Sequence, residues 1–136
     1  MDVHSPAQRR YNMSRIRGKN TKPELLLRKW LSENSYRYKL HRKGLPGKPD
    51  IAFPGLRKVI FVHGCFWHRH RCKYFVWPKT NANFWKKKIN DNAKRDIKNY
   101  CALIRIGWKY LVLWECKIRF SEFALWKKVN KFLIAN

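Results

Sequence analysis

Apolar residues recur along this chain with two different periods, and the changes of period lay out its elements. Leu26, Leu27, Trp30 and Leu31 fall three and four residues apart. Ahead of them, Thr21-Lys-Pro-Glu24 matches a capping box, Thr21 as N-cap and Glu24 three residues on. Together these predict a helix from Lys22 to Asn34. Tyr36 to His41 alternates weakly and reads as a strand, and Gly44-Leu-Pro-Gly-Lys-Pro49 is a turn-rich loop. Asp50-Ile-Ala-Phe53 is a short strand, Pro54-Gly55 a tight turn, and Lys58 to Val62 a further strand. After a loop over Lys73 to Thr80, Asn83 caps a long helix reaching Arg105. On it Phe84, Ile89, Ala93, Ile97, Cys101 and Ile104 lie close to one stripe, which places Cys101 in the core. Gly107 is placed to end that helix. Trp108 to Trp114 is another strand, and Ser121 starts a last helix to about Ile134.

A strand, a long helix and a strand make a βαβ unit, so Val59–Val62 and Tyr110–Trp114 are expected to run parallel and end at the same sheet edge. The predicted architecture is α/β, a single domain over 1–136, with a mixed sheet flanked by helices on both faces. Upstream, Ser5-Pro6 resembles a helix start, and the basic segment to Ile16 has no wide apolar face. Residues 1–20 read as a basic arm that partly docks and partly reaches for a partner. A frayed terminus is the equal alternative for the free protein.

Composition narrows the partner. Thirty-two Lys and Arg stand against eight Asp and Glu, a formal charge of +24. Such self-repulsion points to a polyanion. Seven Trp, six Tyr and eight Phe argue against a ribosomal-type tail, and the strands argue against a membrane-surface helix. Nucleic acid is the favoured partner. The first twenty residues hold no apolar signal-peptide core, and no apolar run approaches a membrane span. An intracellular, reduced protein is expected, in which four cysteines suggest metal or free thiols before disulfides.

The chemistry concentrates after one strand. Val59 to Val62 is apolar; the next ten residues, His63 to Cys72, hold three histidines, two cysteines, two arginines and the pair Phe66-Trp67. Cys65, His70 and Cys72 follow this strand and Cys116 follows the parallel one, a Cys3His set suited to structural zinc. Buried thiols are the competing reading of the cysteines. His63 and His68 remain. Asp50, His63 and a nearby backbone carbonyl are candidates to hold a hard divalent cation alongside substrate phosphate, with His68 as a general base. Taken singly, each histidine is as well explained as a satisfied loop residue or a phosphate contact, Asp50 as a turn acid, and Glu24 as a cap. Phe66 and Trp67, with Trp85 in the next element, suit stacking on bases; a small cluster packing the zinc loop is the alternative.

Asp50, Val-His-Gly-Cys-Phe-Trp-His-x-His-x-Cys at Val62–Cys72, Asn-Phe-Trp at 83–85 and Trp-Glu-Cys at 114–116 resemble the very-short-patch repair (Vsr) DNA mismatch endonucleases. The likeness is colinear from about Arg10 to Cys116. It implies a restriction-endonuclease-like, PD-(D/E)XK-like fold with a structural zinc site. It also implies a Mg2+-dependent nick on the 5′ side of thymine in T:G mismatches, which arise when 5-methylcytosine deaminates. By the resemblance, Asp50, His63 and the Val62 carbonyl match the magnesium ligands, His68 the general base and Glu24 a supporting acid. Cys65, His70, Cys72 and Cys116 match the zinc set. Phe66, Trp67 and Trp85 match intercalating aromatics, with Met13 entering from the other groove. Val62 replaces a more usual Thr, which a carbonyl ligand does not feel; Arg69 and Arg71 depart from a histidine-rich run but lie between the matched positions. A monomer acting on mismatched double-stranded DNA in a prokaryotic cytoplasm, at the nucleoid, is implied. A methyltransferase of the same target is implied as well, whereas any repair accessory proteins are not given by the sequence. Two other classes stand beside this reading: a non-catalytic zinc-dependent nucleic-acid-binding protein, and a restriction nuclease that cuts matched DNA on the same fold.

Overall fold

In the computed structural model, which describes residues 21–65, 76–119 and 123–135, the capping box works as its spacing predicts. The Thr21 hydroxyl accepts from the Glu24 backbone N–H at 3.4 Å, Pro23 lies in the first turn, and helix α1 spans Lys22–Glu33. It closes in a Schellman motif with Ser35 at φ 64°: the Tyr36 N–H reaches the Leu31 carbonyl at 2.9 Å and the Ser35 N–H reaches Ser32 at 3.1 Å. Trp30 stacks on Tyr36 across the turn, with ring centroids 6.0 Å apart. Because Tyr36 is used in this closure and His41 turns away at φ 45°, the strand predicted over Tyr36–His41 shortens to β1, Lys39–Leu40.

Strands β2 (Ile51–Phe53) and β3 (Lys58–His63) complete an antiparallel meander, and β4 (Lys109–Trp114) lies parallel to β3, giving the order β1-β2-β3-β4. The crossover is α2, Ala82–Arg105. Its N-cap is Asn81 rather than Asn83: Asn81 takes the left-handed conformation at φ 54°, and its carbonyl accepts from the Trp85 N–H at 3.1 Å to close the first turn. Gly107, at φ 85°, ends it as predicted. The Trp108 N–H returns to the Leu103 carbonyl and the Gly107 N–H to Ile104, both at 3.0 Å. A short helix that the sequence reading did not anticipate, α3 (Glu115–Arg119), follows β4 directly, and α4 (Phe123–Ile134) comes last.

The sheet is covered on both faces. On one, Leu27 and Leu31 of α1, Ile118 of α3 and Leu125, Val129 and Leu133 of α4 pack on Ile51, Phe53, Ile60 and Leu113. On the other, Leu103 of α2 packs with Ala52, Val59 and Phe61, edged by Tyr100, Trp108 and Tyr110. The stripe predicted on α2 is corrected here. Ile89 is buried, but Phe84, Ile97, Cys101 and Ile104 are exposed, so Cys101 is not a core residue. The inward face runs instead through Ile89, Tyr100 and Leu103, a rotation that puts two isoleucines and the cysteine in water. Lys58 is buried on the α4 side and donates from Nζ to the carbonyls of Phe132 at 2.6 Å, Leu133 at 3.3 Å and Ala135. Among the described residues no helix is long and apolar enough to cross a membrane.

Candidate active site

Strand register assembles an acidic corner. Leu40 pairs with Ile51, so the next residues out, His41 and Asp50, face each other where the β1–β2 ladder ends, and the His41 N–H donates to the Asp50 carbonyl at 3.0 Å. The loop between them is mostly exposed but anchored at its end. Gly47, at φ 81°, lies where a Cβ would come within 3.0 Å of the Phe61 ring and 3.1 Å of the Asn99 Cβ, and Pro49 is buried. With its backbone fixed at both sides, Asp50 aims its carboxylate across β3, and Oδ2 accepts from the Val62 N–H at 2.7 Å.

Glu24 meets this corner from α1. Its side chain is 1% exposed, and Oε1 accepts from His41 Nε2 at 2.6 Å and from the Arg28 guanidinium, one turn along the helix, at 2.9 Å. The cap uses the Glu24 backbone, whereas its carboxylate belongs to the cluster. The ligating atoms of Glu24, His41 and Asp50 all lie within 4.8 Å of one another. Burial pushes the Asp50 carboxyl up to about 6 and the charge of Glu24 adds to the rise; the Val62 N–H and His41 pull the other way. Two carboxylates this close, Glu24 buried and Asp50 half-buried, gain from a cation between them, so the two acids fit a hard divalent ion.

His63 is not one of that trio. It is buried on the α2 side of the sheet, with Nδ1 3.4 Å from the Tyr100 hydroxyl. Its ring meets Trp114 edge-on at 5.3 Å and Phe61 at 5.6 Å. Burial, then Asp96 and Tyr110, push the Tyr100 phenol above its usual range, so the hydroxyl keeps its proton beside His63. Cys65 and Cys116 are both buried, each two residues beyond the paired His63 and Trp114, which puts them at corresponding positions past two parallel strands. At the start of α2, Phe84 is exposed and Trp85 half-buried, meeting edge to face at 5.2 Å, with Lys88 Nζ 5.9 Å from the Phe84 centroid and 5.8 Å from that of Trp85. The predicted arm with Met13, the base His68, the ligands His70 and Cys72, and the wedge Phe66-Trp67 lie outside the described residues.

The sequence reading missed His41 and Arg28. Arg28 stands four residues after Glu24, a spacing that signals an ion pair. His41 had a weaker signal: a histidine and an aspartate bracketing a loop rich in glycine and proline.

Residues 1–74 match the family described as DNA mismatch endonuclease Vsr. The chain is 48% identical over 117 residues to the Type II nicking enzyme V.XorIIP of Xanthomonas oryzae pv. oryzae, across 86% of each chain. It is 43% identical over 118 residues to the Type II nicking enzyme V.NmeAIP of Neisseria meningitidis, across 87% of this chain and 84% of that one. To the DNA mismatch endonuclease Vsr of Escherichia coli it is 40% identical over 121 residues, across 89% of this chain and 78% of that one. Identity of this order, sustained over most of each chain, means that this protein belongs to the Vsr family.

Proposed function

We propose that this protein nicks double-stranded DNA on the 5′ side of the thymine in T:G mismatches produced by 5-methylcytosine deamination, with Mg2+ as cofactor. The observation that carries the reading is the gathering of Asp50, Glu24 and His41 at the end of the sheet in a protein of charge +24. Asp50, the Val62 carbonyl and His63 would hold the magnesium; when bound, the ion stabilises charge on the scissile phosphate and the leaving oxygen. His68 takes the proton of the attacking water and Glu24 orients it, leaving a 5′-phosphate and a 3′-hydroxyl. The Val62 N–H fixes the Asp50 carboxylate, so this donor is aimed before the substrate arrives. A four-stranded mixed sheet with an acid at the head of β2 supports the restriction-endonuclease-like assignment.

Cys65, His70, Cys72 and Cys116 would hold a structural zinc, which would pin the segment carrying His68. The burial of Cys65 and Cys116 at matching sheet positions supports it. Phe66, Trp67 and Trp85 open the base stack with Met13 opposite, and a T:G wobble pair yields more cheaply than a matched pair. The protein acts as a monomer on DNA in the cytoplasm.

The test is a nicking assay with Mg2+ on duplexes differing only in T:G or T:A at one position. A single nick 5′ of the mismatched thymine is expected. Equal cutting of both duplexes refutes mismatch recognition, and an Asp50→Ala protein with undiminished function would favour a binding module instead. Metal analysis of the purified protein is expected to return zinc; its absence removes the Cys3His site.

A further inference from the structure

Glu24 sits in the first turn of α1 on a flexible side chain, yet it is 1% exposed and held from two sides. Arg28 rides on the same helix, so it cannot fix the helix acid relative to the sheet. His41 does. Its Nε2 donates to Glu24 Oε1 at 2.6 Å while its own N–H donates to the Asp50 carbonyl at 3.0 Å. One residue thereby ties the helix acid to the strand acid. It does so in the left-handed conformation, φ 45°, which few residues other than glycine adopt. While Nε2 donates to Glu24 its lone pair is not offered to a cation, so in this arrangement the nitrogen serves the carboxylate.

We propose that His41 is a positioning residue of the nicking reaction: it fixes the Glu24 carboxylate against Asp50, so that Glu24 meets the reacting water and its base in one orientation. The proposal rests on the activity inferred above. A rotation of Glu24 is expected to leave DNA affinity nearly unchanged, since this side chain is only 1% exposed, but to misplace the group that acts on the water.

Single-turnover nicking of a T:G duplex separates these effects. His41→Gly accepts the same φ without a side chain and is expected to slow the chemical step about 10–100-fold, with the DNA concentration for half-maximal rate changed by less than about 3-fold. His41→Gln, whose amide N–H can reach the same carboxylate, is expected to recover at least about 10-fold of that loss. In a Glu24→Gln background, His41→Gly is expected to cost less than about 3-fold, because the two residues act as a unit. Thermal melting confirms that each variant folds, and His41→Asn, tolerant of this conformation but too short to reach Glu24, replaces the glycine variant if that one does not. A nicking wild type with an indifferent His41→Gly, an unimproved His41→Gln, or a full additional loss in the Glu24→Gln background overturns the proposal alone. A wild type that nicks no duplex overturns the activity reading and this proposal with it.

Discussion

Asp50 is held in conditions that suit its protonated form and its proposed work in the other. Burial first, and the neighbouring Glu24 next, raise its carboxyl from 3.8 to about 6. The folded chain therefore binds this proton more tightly than the unfolded chain does. The resulting stability is fully present below pH about 4 and is lost as the pH rises through about 6. A shift of about two units is on the order of 3 kcal/mol at neutral pH. Asp50→Asn keeps an oxygen to accept from the Val62 N–H and removes the charge. It is expected to abolish nicking while stabilising the metal-free protein by about 2–3 kcal/mol at pH 7.5, and the two proteins should converge in stability near pH 4. Added Mg2+ should raise the melting temperature of the wild type at pH 7.5 and leave the variant unmoved. A variant no more stable than wild type at pH 7.5 would remove burial as the cause. Asp50 was legible in the sequence because it heads a strand after a Gly-Lys-Pro turn. The part of Glu24 beyond its cap was not, because its partner His41 lies 17 residues away and reaches it only through hairpin register.

Strands and their order were readable because apolar runs separated by glycine and proline leave little choice of register. Helix faces were less so. On α2 the apolar residues are too scattered to define one stripe, and the inward face is carried by Tyr100 beside Leu103, with Ile97 and Ile104 left outside. A periodicity count weighs an isoleucine above a tyrosine; packing on Phe61 and Tyr110 reverses that order, with Tyr100 stacked on Tyr110 at 4.3 Å. Lys58 shows the same gap for the last helix. From its position it only opens a strand, yet its ammonium closes the C-terminus of α4 through three carbonyls. Lys58→Met keeps the buried stem and removes the donors. It is expected to cost about 1–3 kcal/mol in urea unfolding, since three carbonyls, that of Leu133 buried, lose a charged partner, and to leave the nicking rate of the folded protein unchanged. A cost below about 0.5 kcal/mol, the level of a surface substitution, would show that water replaces the lysine there.

At the scale of the molecule, the proposed function divides the finding and the reading of DNA between charge and aromatic surface. The +24 charge was plain from composition, but composition cannot say where it lies. On α2, Lys86, Lys87, Lys88, Lys94, Arg95 and Lys98 are exposed along the same helix that presents Phe84 and Trp85 at its start. Phosphate contacts release counterions whatever the base pair, so affinity for matched and mismatched duplex should fall together, by about 10³-fold or more between 50 and 200 mM salt if six or more phosphates are neutralised. Stacking and hydrogen bonds to a wobble pair are short-ranged and nearly indifferent to salt, so the ratio of T:G to T:A affinity should stay level over the same range. The two contributions can then be removed separately. Trp85→Ala is expected to lower that ratio by about 10-fold, the worth of one stacked base, without changing the salt slope. Lys87→Ala with Lys94→Ala is expected to flatten the slope by about one unit per lost phosphate contact and leave the ratio alone. Discrimination that collapses as salt rises would mean that the mismatch is sensed through the charged surface, and that the aromatic pair on α2 serves only to pack.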